Sequence, residues 1–152
     1  MSHFDTVEWG PAIVPKIKEF LEMVVDSNQM GEYIQALTDI DRLKRHWGII
    51  GLRKILSIQI HTPIQDIIDQ NIVPLLIKFM QTESEPHMQI EATWCITNMA
   101  SGTSEQTASL VDKGVIPILV QLLATKHVTL VEQAIWGIGN IAGDCVTFRD
   151  KL

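Results

Sequence analysis

The segments ATWCITNMAS, residues 92 to 101, and AIWGIGNIAG, residues 134 to 143, share one pattern: tryptophan, three variable residues, asparagine. Trp94 and Trp136 stand 42 residues apart. A second marker keeps nearly the same interval, because Pro74 in IVPLLIKFMQT and Pro117 in VIPILVQLLAT stand 43 apart. Two unrelated markers on one period mean that the chain builds the same unit at least twice. Each such proline opens an apolar run, where its missing N–H costs nothing because first-turn donors have no partner inside a helix. Both runs therefore read as helix starts, as does IVPKIKEFLEM around Pro15.

Helical segments repeating in the low forties are the pattern of armadillo or HEAT arrays, whose periods run roughly 40 to 47 residues. Within one period the spacing predicts three helices. The first covers 104–113, with Ser104 as N-cap, Glu105 in the first turn and Gly114 as the stop. The second covers 115–125; Ile116, Leu119, Val120, Leu122 and Leu123 make it too apolar for a solvated helix. The third covers 129–142. The preceding period predicts helices over 63–70, 72–81 and 86–100.

Upstream, RHWGIIGLRKILS reads as the third helix of a degenerate unit, with Trp47 but with Gly51 where asparagine would stand. YIQALTDIDRLKRH reads as the helix before it. Pro15 lies 32 residues before Trp47, so the interval fails there. The expected organisation is a divergent helical segment over 1–30, degenerate repeat helices over 31–62, repeats over 63–103 and 104–143, and the start of another over 144–152. No segment alternates apolar and polar residues in the manner of a half-buried strand, so the class is all-α.

Composition narrows function by exclusion. A net charge of −6 argues against phosphate-backbone binding, which needs clustered Lys and Arg, and suits basic partners. Cys95 and Cys145 form no CxxC and no disulfide framework, which points to a reducing compartment. The opening MSHFDTVEWG lacks the basic-then-apolar order of a signal peptide, and no apolar run reaches the roughly 18 residues of a membrane span. The sequence GIGNIA, residues 137 to 142, fits a dinucleotide fingerprint but follows a helical segment rather than a strand. His3, His46, His61, His87 and His127 show no metal-ligand spacing and read as solvated loop or helix-end residues. No catalytic motif, cofactor or metal site is indicated.

The stretch EATWCITNMASGTSEQTASLVDKGVIPILVQLLATKHVTLVEQAIWGIGNIAGDCVTFRD, residues 91 to 150, closely resembles the armadillo repeats of importin-α, the karyopherin-α adaptors of nuclear import. TNMASGTSEQT and GNIAGD carry the resemblance most specifically, and LRKILS with TPIQDIIDQNIVPLLIKFM extends it upstream. It implies an armadillo-repeat, right-handed superhelical solenoid of about two full three-helix repeats plus a degenerate N-terminal unit. It further implies a concave groove that holds Lys- and Arg-rich nuclear localisation signals in extended form, in a protein of the cytoplasm and nucleus.

Residue by residue, Trp94, Asn98, Trp136 and Asn140 match the groove-lining pairs. Ser101, Gly102, Thr107, Gln133 and Asp144 match the lining of the first lysine pocket. The family's separate basic segment for importin-β has no counterpart, since the densest cluster is RLKRH, residues 42 to 46, so direct importin-β binding is not expected. Only two Trp/Asn pairs are present, and Ile58 ends ILSI where typical members read LLSR.

The residue types suit such a ligand. Residues four apart share a helix face, so each Trp points with its Asn, and stacked repeats align the pairs. Neighbouring indoles form a slot for a lysine stem and attract its cation by about 0.5 to 2 kcal/mol. The asparagine amide, donor and acceptor at once, holds peptide backbone whatever its sequence. Asp144 can add a charge-assisted bond to the ammonium, and Gly102 and Gly143 permit close approach of peptide or neighbouring helices. The competing expectation is a structural or regulatory module that self-associates through an open C-terminal repeat, since terminal repeats normally carry polar caps.

Overall fold

A computed structural model of the chain describes residues 14–58 and 61–144, and every regular element among them is helical. The chain divides into two compact units, residues 1–62 and 63–152.

The second unit holds both complete repeats. The first is α4 (Ile64–Asp69), α5 (Val73–Met80) and α6 (Pro86–Met99); the second is α7 (Ser104–Asp112), α8 (Val115–Leu122) and α9 (Val128–Asp144). Pro74 and Pro86 occupy the first turns of α5 and α6, as their missing donors require. Between the first and second helices of each repeat a single residue turns left-handed: Asn71 at φ 58° and Gly114 at φ 91°. These positions are 43 apart, and Gly and Asn are the residues that enter this region at least steric cost. The N–H of each bonds the carbonyl three residues earlier, in Ile68 and Val111, at 3.0 Å.

Helix α7 begins one residue away from the expected cap. Thr103 is extended and its Oγ1 accepts the Gln106 N–H at 3.2 Å, while Gln106 Oε1 accepts the Thr103 N–H at 3.0 Å. This reciprocal capping box takes two orphan donors, so Ser104 lies inside the helix with its hydroxyl released for another partner.

The core of this unit runs through Ile67, Leu76, Met80, Ile90, Cys95, Ile96, Leu110, Leu119, Leu130 and Ile141, each buried. Helix α6 is buried on nearly every side, including its polar residues His87, Gln89, Glu91, Thr93 and Thr97. Two of them bond locally: Gln89 Nε2 donates to the Met80 carbonyl at 2.9 Å and Thr93 Oγ1 to the Gln89 carbonyl at 2.7 Å. His87 Nε2 lies 3.2 Å from Glu91 Oε1 one turn on. The expectation of solvated histidines therefore fails for His87, and also for His46, both fully buried; His3 lies outside the described residues. For His87, the Glu91 carboxylate one turn away supplies a charged group within ion-pair distance inside the core. Helix α8 is less buried than its composition suggests. Ile116, Leu119 and Leu122 face α5, α7 and α9, whereas Val120 and Leu123 remain 43% and 41% exposed.

The first unit consists of α1 (Val14–Glu22), a short 3-10 turn (Ser27–Gln29), α2 (Met30–Ala36) and α3 (Arg42–Leu56). The single helix expected over YIQALTDIDRLKRH is two pieces. Asp39 Oδ1 accepts the Asp41 N–H at 2.8 Å and Asp41 Oδ1 accepts the Leu43 N–H at 2.9 Å, so two aspartates break the run and cap the next helix. Arg45 Nη1 donates to the Asp39 and Ile40 carbonyls at 2.9 Å and holds the turn. Helix α2 then lies close on α3: a Cβ at Gly48 would sit 2.5 Å from the Tyr33 carbonyl, and one at Gly51 would sit 2.3 Å from the Tyr33 ring. Lys54 Nζ closes the unit by donating to the Met23 carbonyl at 2.6 Å.

Candidate functional site

The site residues expected from sequence fall on α6, α7 and α9 and on the turn between α6 and α7, all inside the second unit. Helices α6 and α9 pack together, and two threonine and asparagine contacts stitch them. Thr97 Oγ1 donates toward the carbonyls of Thr93 at 2.9 Å and Gln133 at 3.1 Å. Asn140 Nδ2 donates to the Thr97 carbonyl at 2.9 Å. That carbonyl is available because the N–H of Ser101, its regular partner four residues on, turns to Asn98 instead. A Cβ on Gly137 would meet Thr97 Oγ1 at 3.0 Å and Leu119 at 3.2 Å, so glycine permits this approach of α9.

The bond from Asn140 joins α9 to α6 at Thr97, the residue before Asn98. The two rungs differ in exposure. Trp94 and Asn98 are half-buried, whereas Trp136 is 63% exposed and Asn140 is exposed. Asn140 spends one N–H on the inter-helix contact, and its amide oxygen and second N–H remain for a ligand.

The proposed lysine pocket is built around the start of α7. Ser104 Oγ donates to Asp144 Oδ1 at 3.0 Å across 40 residues of sequence. Sequence reasoning missed Ser104 here because it assigned that hydroxyl to capping; the Thr-x-x-Gln box at Thr103 was the signal that freed it. Among the described residues, Asp144 Oδ2 is buried and accepts no hydrogen bond, and the same holds for Gln133 Oε1. Thr107 is fully buried and donates to the Ala100 carbonyl at 3.3 Å, and Ser101 Oγ donates to the Asn98 carbonyl. These two shape the α6–α7 turn. Gly102 has a packing role as well: its missing Cβ leaves the space filled by Gln106 Oε1, 2.3 Å away, and by Ile64. Gly143 has open space around it.

The electrostatics point one way. Helices α6, α7 and α9 contain no lysine or arginine, and they carry Glu91, Glu105, Asp112, Glu132 and Asp144. A carboxylate at the first turn of α7 also suits the positive end of that helix. Among the described residues this face presents the exposed Trp136 indole, the Asn140 amide and two buried acceptor oxygens, Gln133 Oε1 and Asp144 Oδ2. No described helix is long and apolar enough to cross a membrane.

A family model described as the armadillo/beta-catenin-like repeat matches residues 61–101 and 103–143. Importin subunit alpha-2 from Arabidopsis thaliana is 47% identical over 100 residues, which is 66% of this chain and 19% of that protein. Importin subunit alpha-1b from Oryza sativa subsp. japonica is 41% identical over 119 residues, 78% of this chain and 22% of that protein. The chain thus spans about a fifth of the length of these curated relatives. Among solved structures, a designed armadillo repeat protein in complex with the peptide (KR)4 superposes with a TM-score of 0.75 at 23% identity, covering 99% of this chain and 67% of that one. That likeness shows the armadillo solenoid fold.

Proposed function

The chain belongs to the armadillo-repeat family, and on that premise we propose that the α6–α9 face binds basic peptides of the nuclear localisation signal type, as an importin-α-like adaptor in nuclear protein import. The observation that carries this reading is Asp144 Oδ2, buried and without a partner among the described residues, at the end of a helix that, like α6 and α7, lacks Lys and Arg. An unpartnered buried carboxylate oxygen costs free energy that an incoming ammonium returns. Trp94, Asn98, Trp136 and Asn140 form the ladder; Gln133 and Asp144 supply acceptors; Ser101, Gly102 and Thr107 shape the pocket floor. The repeats act as a binding scaffold and not as an enzyme, with action in cytoplasm and nucleus. The similarity to importin-α subunits and the (KR)4 complex of the designed relative support the ligand class.

With two rungs, binding is weak and salt-sensitive, because each slot contributes about 0.5 to 2 kcal/mol and association must first offset its entropy. Titrating a lysine-rich signal peptide while following tryptophan fluorescence, with an acidic peptide as control, tests this. Removing both indoles in Trp94→Ala, Trp136→Ala should abolish measurable binding; equal affinity of the double variant rejects the groove.

A second reading rests on the exposed Val120, Leu123, Val128 and Ile135 of α8 and α9. Exposed large apolar side chains can mark an association site, so on this second reading the chain serves as an interaction module that pairs through these residues. Sedimentation velocity across a concentration series distinguishes the two: a strict monomer that binds peptide leaves only the first.

A further inference from the structure

The first unit has a cleft of its own. Its volume is about 480 Å³, and Glu32, Gln35, Ala36, Asp39, Lys44 and Trp47 line it. We propose that this cleft binds the cationic side chain of a lysine- or arginine-rich peptide, with Trp47 as its aromatic wall and Glu32 and Asp39 as its counter-charges. It is a site separate from the Trp/Asn ladder and needs none of the residues of the second unit.

Three observations support it. The indole of Trp47 is fixed rather than loose: its ring centroid lies 4.6 Å from that of Tyr33 at 53°, and Tyr33 itself is 2% exposed and wedged into the space that Gly51 leaves. A fixed half-buried indole gives a cation its π face without an ordering cost. Next, the charges around the cleft are unbalanced. Among the lining side chains two carboxylates face one ammonium; Arg45 lies outside that lining and donates to the carbonyls of Asp39 and Ile40, where it holds the Asp39 turn in place.

The third observation concerns the one cation already there. Lys44 Nζ stands 3.8 Å from Asp39 Oδ2, with 64% of its side chain exposed. A charge-assisted N–H···O bond closes to about 2.7 to 2.9 Å, so Asp39 is neutralised only loosely. Lys44 is a resident competitor that a ligand cation displaces. A cleft of this size also falls within the range of roughly 300 to 1,000 Å³ typical of ligand sites.

The test isolates Trp47 as the sole indole by replacing Trp9, Trp94 and Trp136 with phenylalanine in the full chain. Capped tetralysine is then titrated at low salt while Trp47 emission is followed, with capped tetraglutamate as control. Tetralysine should change the emission saturably below about 10 mM, the range a single cation–π slot supports, and tetraglutamate should not. Lys44→Ala should tighten binding about threefold, and Glu32→Gln with Asp39→Asn should weaken it about tenfold, with unchanged circular dichroism. No saturable response to tetralysine overturns the proposal. So does a Lys44→Ala variant that binds no better, because a merely structural Trp47 would leave that variant neutral. Failure of the Trp/Asn ladder would leave this signal intact, since both its indoles are absent from the reporter chain.

Discussion

Trp47 and Trp94 occupy comparable places in sequence, each on a long helix after an apolar run, and the chain treats them differently. Four residues after Trp94 stands Asn98, on a helix that the Asn140 side chain of α9 reaches at the adjoining Thr97 carbonyl. Four residues after Trp47 stands Gly51, and the ring of Tyr33 fills the space an asparagine would need. The first unit has exchanged a backbone-holding amide for an aromatic pair within the unit. What separates the surroundings of the two tryptophans is thus the residue one turn later and what lies over it, not the tryptophan.

The sharpest way to break this contrast is to write the missing asparagine in. Gly51→Asn should destabilise the chain by about 2 to 3 kcal/mol in urea unfolding, because the new Cβ overlaps the Tyr33 ring and a buried ring cannot move aside freely. Adding Tyr33→Ala should cost less than the sum of the two single changes, and strict additivity would show that the ring and Gly51 are not in conflict. Next in size, Asp144→Asn should leave stability nearly unchanged but weaken a lysine-rich peptide by about 1.5 kcal/mol, with a shallower salt dependence in the same titration.

Asn140→Ala separates the two jobs of a rung. It should cost about 1 kcal/mol of stability through the lost bond to the Thr97 carbonyl, together with weaker peptide binding. Loss of one without the other would assign the residue to a single role. The smallest effect belongs to Trp136→Ala, which should shift the unfolding midpoint by no more than about 0.5 kcal/mol because the ring is 63% exposed, while peptide binding falls. A large stability loss there would make Trp136 a core residue after all.

The second unit was largely readable in advance because its determinants are local. Proline at a first turn, a left-handed Gly114 and an apolar stripe each act within a few residues, and the two copies corroborate one another. The first unit was not, because Asp39 and Asp41 end one helix and begin another inside a stretch whose apolar pattern runs on. Burial of His87 depends on Glu91, which spacing could have suggested; exposure of Val120 and Leu123 depends on what packs against α8, which no residue within that helix encodes. In the candidate site, the repeated WxxxN marked in sequence the two helices, α6 and α9, that pack together. Ser104 as the partner of Asp144 was not legible there, since forty residues separate them and the cap at Thr103 decides which hydroxyl is spare.

The Asn140–Thr97 contact also bears on how the array melts. The last-turn carbonyl it satisfies belongs to α6, whereas the amide belongs to α9, so the first repeat completes its own helix only when the second is in place. In a linear array such a term acts as nearest-neighbour coupling, raising the penalty for a boundary between folded and unfolded repeats. Amide exchange in the final turn of α6 should therefore report the opening of α9, and the two repeats should open as one cooperative step rather than fray in sequence.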